Sequence, residues 1–274
     1  MRFDKALIVF RKDWKEIRRS SQVILPIIVL PLIISVLLPV IIFTLSNMTG
    51  QVGTVPGGVG DIVRILPGNV KNEIIGMDDQ QVIVYIMSVY LFAPFLLIIP
   101  LMASSIISSD SFAGEKERKT IEALLATPLS DSELLMGKIL VSFVPTMVVT
   151  IGSLFVYSTI VDVLAYAMFN GRLLLPNLLW IMLAFGVAPT VALAGIGLTV
   201  MISSRVRGFR EAQQISVVLL LPIMAIVFGQ ITGAIFLGPL LVGVLIGVFA
   251  VVDVMLFYLS VKVFQREEIL SKLV

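Results

Sequence analysis

Long runs without a charged residue alternate with short charged connections along this chain. The uncharged runs cover 20–60, 82–109, 139–161, 173–204 and 212–252. The first ends in Gly-rich polar sequence, which leaves 23–45 as its hydrophobic part. The last is 41 residues long; as a helix it would measure about 61 Å, twice the roughly 30 Å of a bilayer's hydrocarbon core. It must therefore hold two helices, and Gly229, Gly233, Gly238 and Pro239 mark the break. The pattern predicts an all-α integral membrane protein of one domain, 1–274, with six spans at 23–45, 82–108, 139–161, 177–202, 212–232 and 240–261. A long loop at 46–81 falls on one side and another at 109–138 on the other. Pro94, Pro189 and Pro222 lie inside spans two, four and five and predict kinks, because proline gives no N–H to the helix ladder.

Two further patterns are helical but not membrane-spanning. Within 3–19, Phe3, Leu7, Phe10, Trp14 and Ile17 recur every three or four residues among lysines, arginines and acids. This is the signature of an amphipathic helix lying in the membrane interface. It is either a plain anchor or part of the mechanism. Between spans two and three, Thr120 can cap a short helix, Ile121, Leu124 and Leu125 make one apolar edge, and Pro128 ends it. Ser130 and Glu133 have capping-box spacing for the helix that runs into span three. Apolar residues on so short a connection read as a docking surface for a soluble partner. The plainer alternative packs them on the chain's own helix ends.

Composition narrows the chemistry. With 58% apolar and 14% charged residues, the chain departs from soluble domains, which hold about 25% charged residues. It has no Cys and no His, which excludes thiolate and imidazole catalysis, disulfides and the usual zinc sites. A net charge of +2 gives no reason to expect nucleic acid. The distribution says more: 17 basic residues fall on the side of the termini and only Arg64, Lys71 and Arg172 on the other. By the positive-inside rule both termini are cytoplasmic. The charged N-terminal segment lacks a signal-peptide cleavage pattern and is expected to be retained. Asp253 is the one acid well inside an apolar run, where a charged, unpaired carboxylate costs on the order of 2.5–3.5 kcal/mol. It is either a substrate or proton contact or a structural partner for another helix. Asp162 reads as a solvated carboxylate at the outer end of span three, and Asp78 with Asp79 as a solvated helix start rather than a metal site. No GxxxxGK[ST] occurs, since Gly137-Lys138 is followed by Ile139 and lacks the upstream glycine.

The charged run leading into "TIEALLATPLS" and closing with "GK" resembles the membrane (permease) subunits of type-2 ATP-binding-cassette (ABC) transporters. The amphipathic start "KDWKEIRRSSQVILPIIVLPLII" and the connection "ISSRVRGFREAQQ" between spans four and five are similar to the same family. That resemblance implies a coupling helix between spans two and three that receives the motion of a separate ATPase. It carries Glu115, Arg118, Thr120, Ile121, Glu122, Leu124, Leu125 and Pro128 into that role, with Gly137 and Lys138 as the closing pair and Arg207, Arg210 and Glu211 as a second cytoplasmic contact. It further implies two permease chains, identical or related, above two ATPase subunits that hold the ATP and Mg, in a cell (plasma) membrane. The chain itself would hold no cofactor and do no covalent chemistry. Export by alternating access along a path lined by spans two and five would make Phe92, Phe95, Met224, Phe228 and Gln230 path candidates, with Asp253. The rivals are a secondary transporter or channel and, with less support from the composition, a membrane-embedded enzyme.

Overall fold

A computed structural model describes residues 3–48, 63, 66–120, 130–203, 205, 206 and 208–263, and all regular structure among them is helical. Helix α1 (Phe3–Ile17) precedes α2 (Ser21–Ser46), the short α3 (Gly68–Glu73), α4 (Asp79–Glu117), α5 (Asp131–Ala165), α6 (Leu178–Ser203), α7 (Phe209–Ile231) and α8 (Pro239–Val263). Six of these, α2 and α4 to α8, are long and apolar enough to cross a membrane. Helix α4 is the central element. It packs against α2, α5, α6 and α7, and two-thirds of its apolar stretch is buried within the chain. Helix α8 leans chiefly on α6 and buries almost none of its own.

The helix ends follow from local chemistry. Asp78 with Gln81 and Ser130 with Glu133 form reciprocal capping boxes at the starts of α4 and α5, and Asn177 accepts from the Trp180 N–H at the start of α6. Helix α4 stops in a Schellman turn. Lys119 takes the left-handed conformation (φ 57°) and its N–H bonds to the Lys116 carbonyl, while the Thr120 N–H bonds to that of Glu115. Thr120 thus closes α4, its hydroxyl also donating to the Glu115 carbonyl at 3.3 Å. Helices α4 and α5 both outrun their apolar stretches, so most of the loop expected at 109–138 is helical and only 118–130 lies between them. Of that stretch, Ile121, Glu122, Leu124, Leu125 and Pro128 lie outside the described residues.

Each kink-predicting proline follows a departure from α geometry. Wider π turns occupy Met87–Leu91 before Pro94 and Leu183–Val187 before Pro189, and a tighter turn at Val217–Leu219 precedes Pro222. The linker 232–238 between α7 and α8 is apolar because it folds back onto the core: Leu237 is fully buried and the Phe236 ring lies 5.0 Å from that of Tyr90.

The predicted stripe on α1 is split. Ala6, Val9, Asp13 and Ile17, spaced three or four apart, are buried on the face turned to α5, while Leu7 is exposed and Phe10 and Trp14 are half-buried on the flank. The side chain of Phe3 lies outside the described set. Gly137 makes this contact close: a Cβ there would sit 2.6 Å from Val9 Cβ and 2.8 Å from the Ala6 carbonyl oxygen.

Candidate functional site

At the end of the bundle that carries the α4–α5 connection, α1, α4 and α5 enclose a group of charges. Lys138, 1% exposed, reaches Glu115 Oε2 at 2.6 Å and Asp13 Oδ2 at 3.4 Å, and donates to the carbonyl of Ser111. Its ammonium also lies 5.2 Å above the Phe112 ring. Ser111 Oγ donates to Asp13 Oδ2 at 2.9 Å. The second cation, Lys12, bonds Glu115 Oε1 from α1 and faces Asp13 at 3.2 Å and Glu16 at 3.6 Å. Burial works to lower the Lys12 pKa, but Asp13, Glu115 and Glu16 outweigh it and hold the ammonium well above the usual lysine value. Every charge at the centre of this group has an opposite partner, which is what makes its burial tolerable.

The last turn of α4 ties in two more neighbours. Arg118 binds Asp110 at 3.0 Å across Gly114 and approaches Glu16 at 4.0 Å. Burial lowers its pKa, and the hydrogen bond and charge of Asp110 more than restore it. Lys116 donates to the Val206 carbonyl at 3.0 Å, and Glu117 accepts from the Phe209 N–H at 3.0 Å. Gly208 has no side chain to cap α7, and a Cβ on it would lie 2.5 Å from Glu117 Oε2, so the glycine lets α4 supply that cap. The two ends of the α4–α5 connection are therefore fastened to α1 and to the start of α7.

This changes the reading of several residues. Glu115 and Lys138 are interior charges and Gly137 is a packing contact, so none of the three offers an outer surface to a partner. Arg118 stays half-exposed beside the connection. In the second candidate contact, Arg210 and Glu211 are exposed on the first turn of α7 and Arg207 lies outside the described residues. Asp13, Lys12, Lys116 and Glu117 carry the assembly, yet on sequence they look like an ordinary solvated face. The sole signal is Asp13, which falls one step off the polar side of α1.

A second polar assembly sits inside the bundle. The π turn shifts the Phe92 N–H to the Met87 carbonyl, and Pro94 has no N–H for the carbonyl of Tyr90. The carbonyls of Ser88, Val89 and Tyr90 accept from Tyr157 Oη (2.9 Å), Trp180 Nε1 (2.9 Å) and Gln230 Nε2 (3.2 Å). Spans three, four and five are thereby each pinned to the bent part of span two. Of the path candidates, Gln230 is in this assembly, and Phe92 and Phe95 are half-buried with ring centres 5.5 Å apart. Met224 is half-buried on the same neighbouring span, and Phe228 is 60% exposed. Asp253 belongs to neither group and lies on α8 beside α6. Asp162 is not merely solvated: it accepts from the N–H groups of Leu174 (2.8 Å) and Leu175 (3.1 Å) and ties down the α5–α6 connection.

None of the curated proteins compared with the chain matches it. A family model described as ABC-2 family transporter protein does match, over residues 7–266, and takes in the α1 contact, the charge group and all six spans. With nearly its whole length covered, the chain belongs to the ABC-2 family of transporter membrane proteins.

Proposed function

We propose that the chain is the permease subunit of an ATP-driven exporter, working as a pair of identical or related chains above two cytoplasmic ATPase subunits in the plasma membrane. Both termini and the α4–α5 connection face the cytoplasm, and ATP and Mg are held by the partner. The ATPases close on nucleotide and push on the 118–130 connection. The spans tilt, and the path between two permease chains opens alternately to either side, a two-state change biased by nucleotide.

The observation that carries this reading is the bracing of that connection. A push on a loose loop would be lost in its own bending. Here both ends continue into helices whose charges are interlocked, Glu115 with Lys138 and Lys12, and Glu117 with the start of α7. A displacement therefore reaches α1, α4, α5 and α7 together. Bent span two, tied to span five through Gln230, is the natural place for the tilt to be taken up.

The test is gentle purification of the chain from its native membrane with mass identification of what accompanies it, repeated on a variant carrying Leu124→Asp and Leu125→Asp together. A soluble protein with a GxxxxGK[ST] loop should accompany the wild type and be lost from the variant. A chain that stays folded in several mild detergents without any nucleotide-binding companion would instead point to gradient-driven transport.

A further inference from the structure

A groove of about 410 Å³ opens sideways between the start of α5, the second half of α6 and the end of α8. Its walls are apolar, including Met136, Ile196 and Phe257, and among the described lining residues the one charged group is Asp253. Asp253 Oδ1 is buried there without a hydrogen-bond partner, and no cation among the described residues pairs with this carboxylate. Lys138, on the wall helix α5, is turned inward and engaged with Glu115, Asp13 and Ser111.

The groove is built rather than incidental. Gly197 lets α8 approach α6 so closely that a Cβ would lie 2.9 Å from Leu256 Cβ, and Ser260 Oγ donates to the Gly197 carbonyl at 3.2 Å. Gly186 does the same further along, where a Cβ would lie 2.4 Å from Ile246 Cδ1. With α6 and α8 fastened at both points, the acid between them is held at a fixed place beside an apolar slot. The slot is open on its outer side, where Val254 is 71% and Phe257 51% exposed.

We propose that this groove binds a cationic amphiphile, an alkyl chain bearing a protonated amine, entering from the side. The apolar slot takes the chain and Asp253 takes the ammonium. The size and lining, a largely apolar cavity with one placed polar group, are those of a small-molecule site. An intramembrane carboxylate that the protein leaves unpaired is complementary to a cation brought by the ligand. A neutral or anionic chain would fill the same slot but leave the carboxylate without a partner. The inference concerns the purified chain alone and does not depend on what powers transport, so its failure leaves the ATP-driven reading standing.

The experiment uses the full chain in nanodiscs of phosphatidylcholine with a diazirine-bearing dodecylamine, its dodecanol counterpart, and mass mapping of the adducts. Expected is saturable labelling by the amine around Ile196 and residues 253–260. Asp253→Asn should weaken it at least about tenfold while labelling by the alcohol is unchanged, and Asp253→Glu should retain most of it. Equal labelling of wild type and Asp253→Asn by the amine would overturn the proposal. So would competition by phosphatidylethanolamine as effective as that by free dodecylamine, which would make the occupant bulk lipid. Should Asp253→Asn fail to fold, Gly197→Leu, which drives α8 away from α6, must still abolish saturable labelling.

Discussion

Lys138 is the residue on which the charged end of the bundle depends. It is surrounded by Glu115, Asp13 and Ser111, and its side chain is only 1% exposed. Replacing it with methionine keeps the stem and removes the charge, leaving two buried carboxylates to share Lys12. Breaking a buried pair from one side costs about 3–5 kcal/mol, most of it the penalty on the charges left behind. Lys138→Met is therefore expected to lower the melting temperature of the purified chain markedly. Glu16→Gln removes a charge from the same group, but Glu16 is half-exposed and its partners stand at 3.6 and 4.0 Å, so a loss of no more than about 1 kcal/mol is expected. Equal shifts for the two variants would mean that water reaches the whole group.

At the scale of the helix, the bend in span two is held by an exchange of hydrogen-bond partners. Gln230→Leu strips the Tyr90 carbonyl of its donor, at an expected cost of about 1–3 kcal/mol. The lower end is favoured, because Gln230 Oε1 is itself buried without a partner and is removed as well. Pro94→Ala restores an N–H that can serve the same carbonyl within the helix. The double variant should then be more stable than the sum of the single losses, by about 1 kcal/mol in a thermal-denaturation cycle. Strict additivity would show that the proline and the glutamine are unconnected. This element also marks the limit of what the sequence discloses. Pro94 announces a bend through its own covalent structure, and the six spans announce themselves through length and hydropathy. That Tyr157, Trp180 and Gln230 fill three successive carbonyls is a fact of tertiary packing, written in no local pattern. The charged ends of α4 and α5 are obscured in the same way. Without sight of partners 98 and 125 residues away, Asp13, Ser111 and Lys138 look like loop and surface.

Over the whole molecule, burial is uneven, and the exposed faces are those open to lipid or to a second chain. Span two is enclosed, whereas span five exposes Leu221 and Phe228 and span six exposes Val244 and Val251, each pair seven residues apart on one helix face. Lipid covers such faces as readily as protein does, so exposure alone does not choose between them. The proposed path does: if it runs between two bundles along spans two and five, the seam follows span five. In a two-fold pair the same patch meets its own copy, and a residue close to the axis faces itself. The chain has no cysteine, so any single introduced thiol is the only one present and needs no altered background. Leu221→Cys or Phe228→Cys is expected to give a disulfide-linked dimer on mild oxidation in native membranes, since a bond requires Cα atoms within about 7 Å. Val244→Cys and Val251→Cys should stay monomeric. The opposite result would place the seam on span six. It would also lay a second chain over the Asp253 groove, overturning the lateral site and the path assignment with one gel.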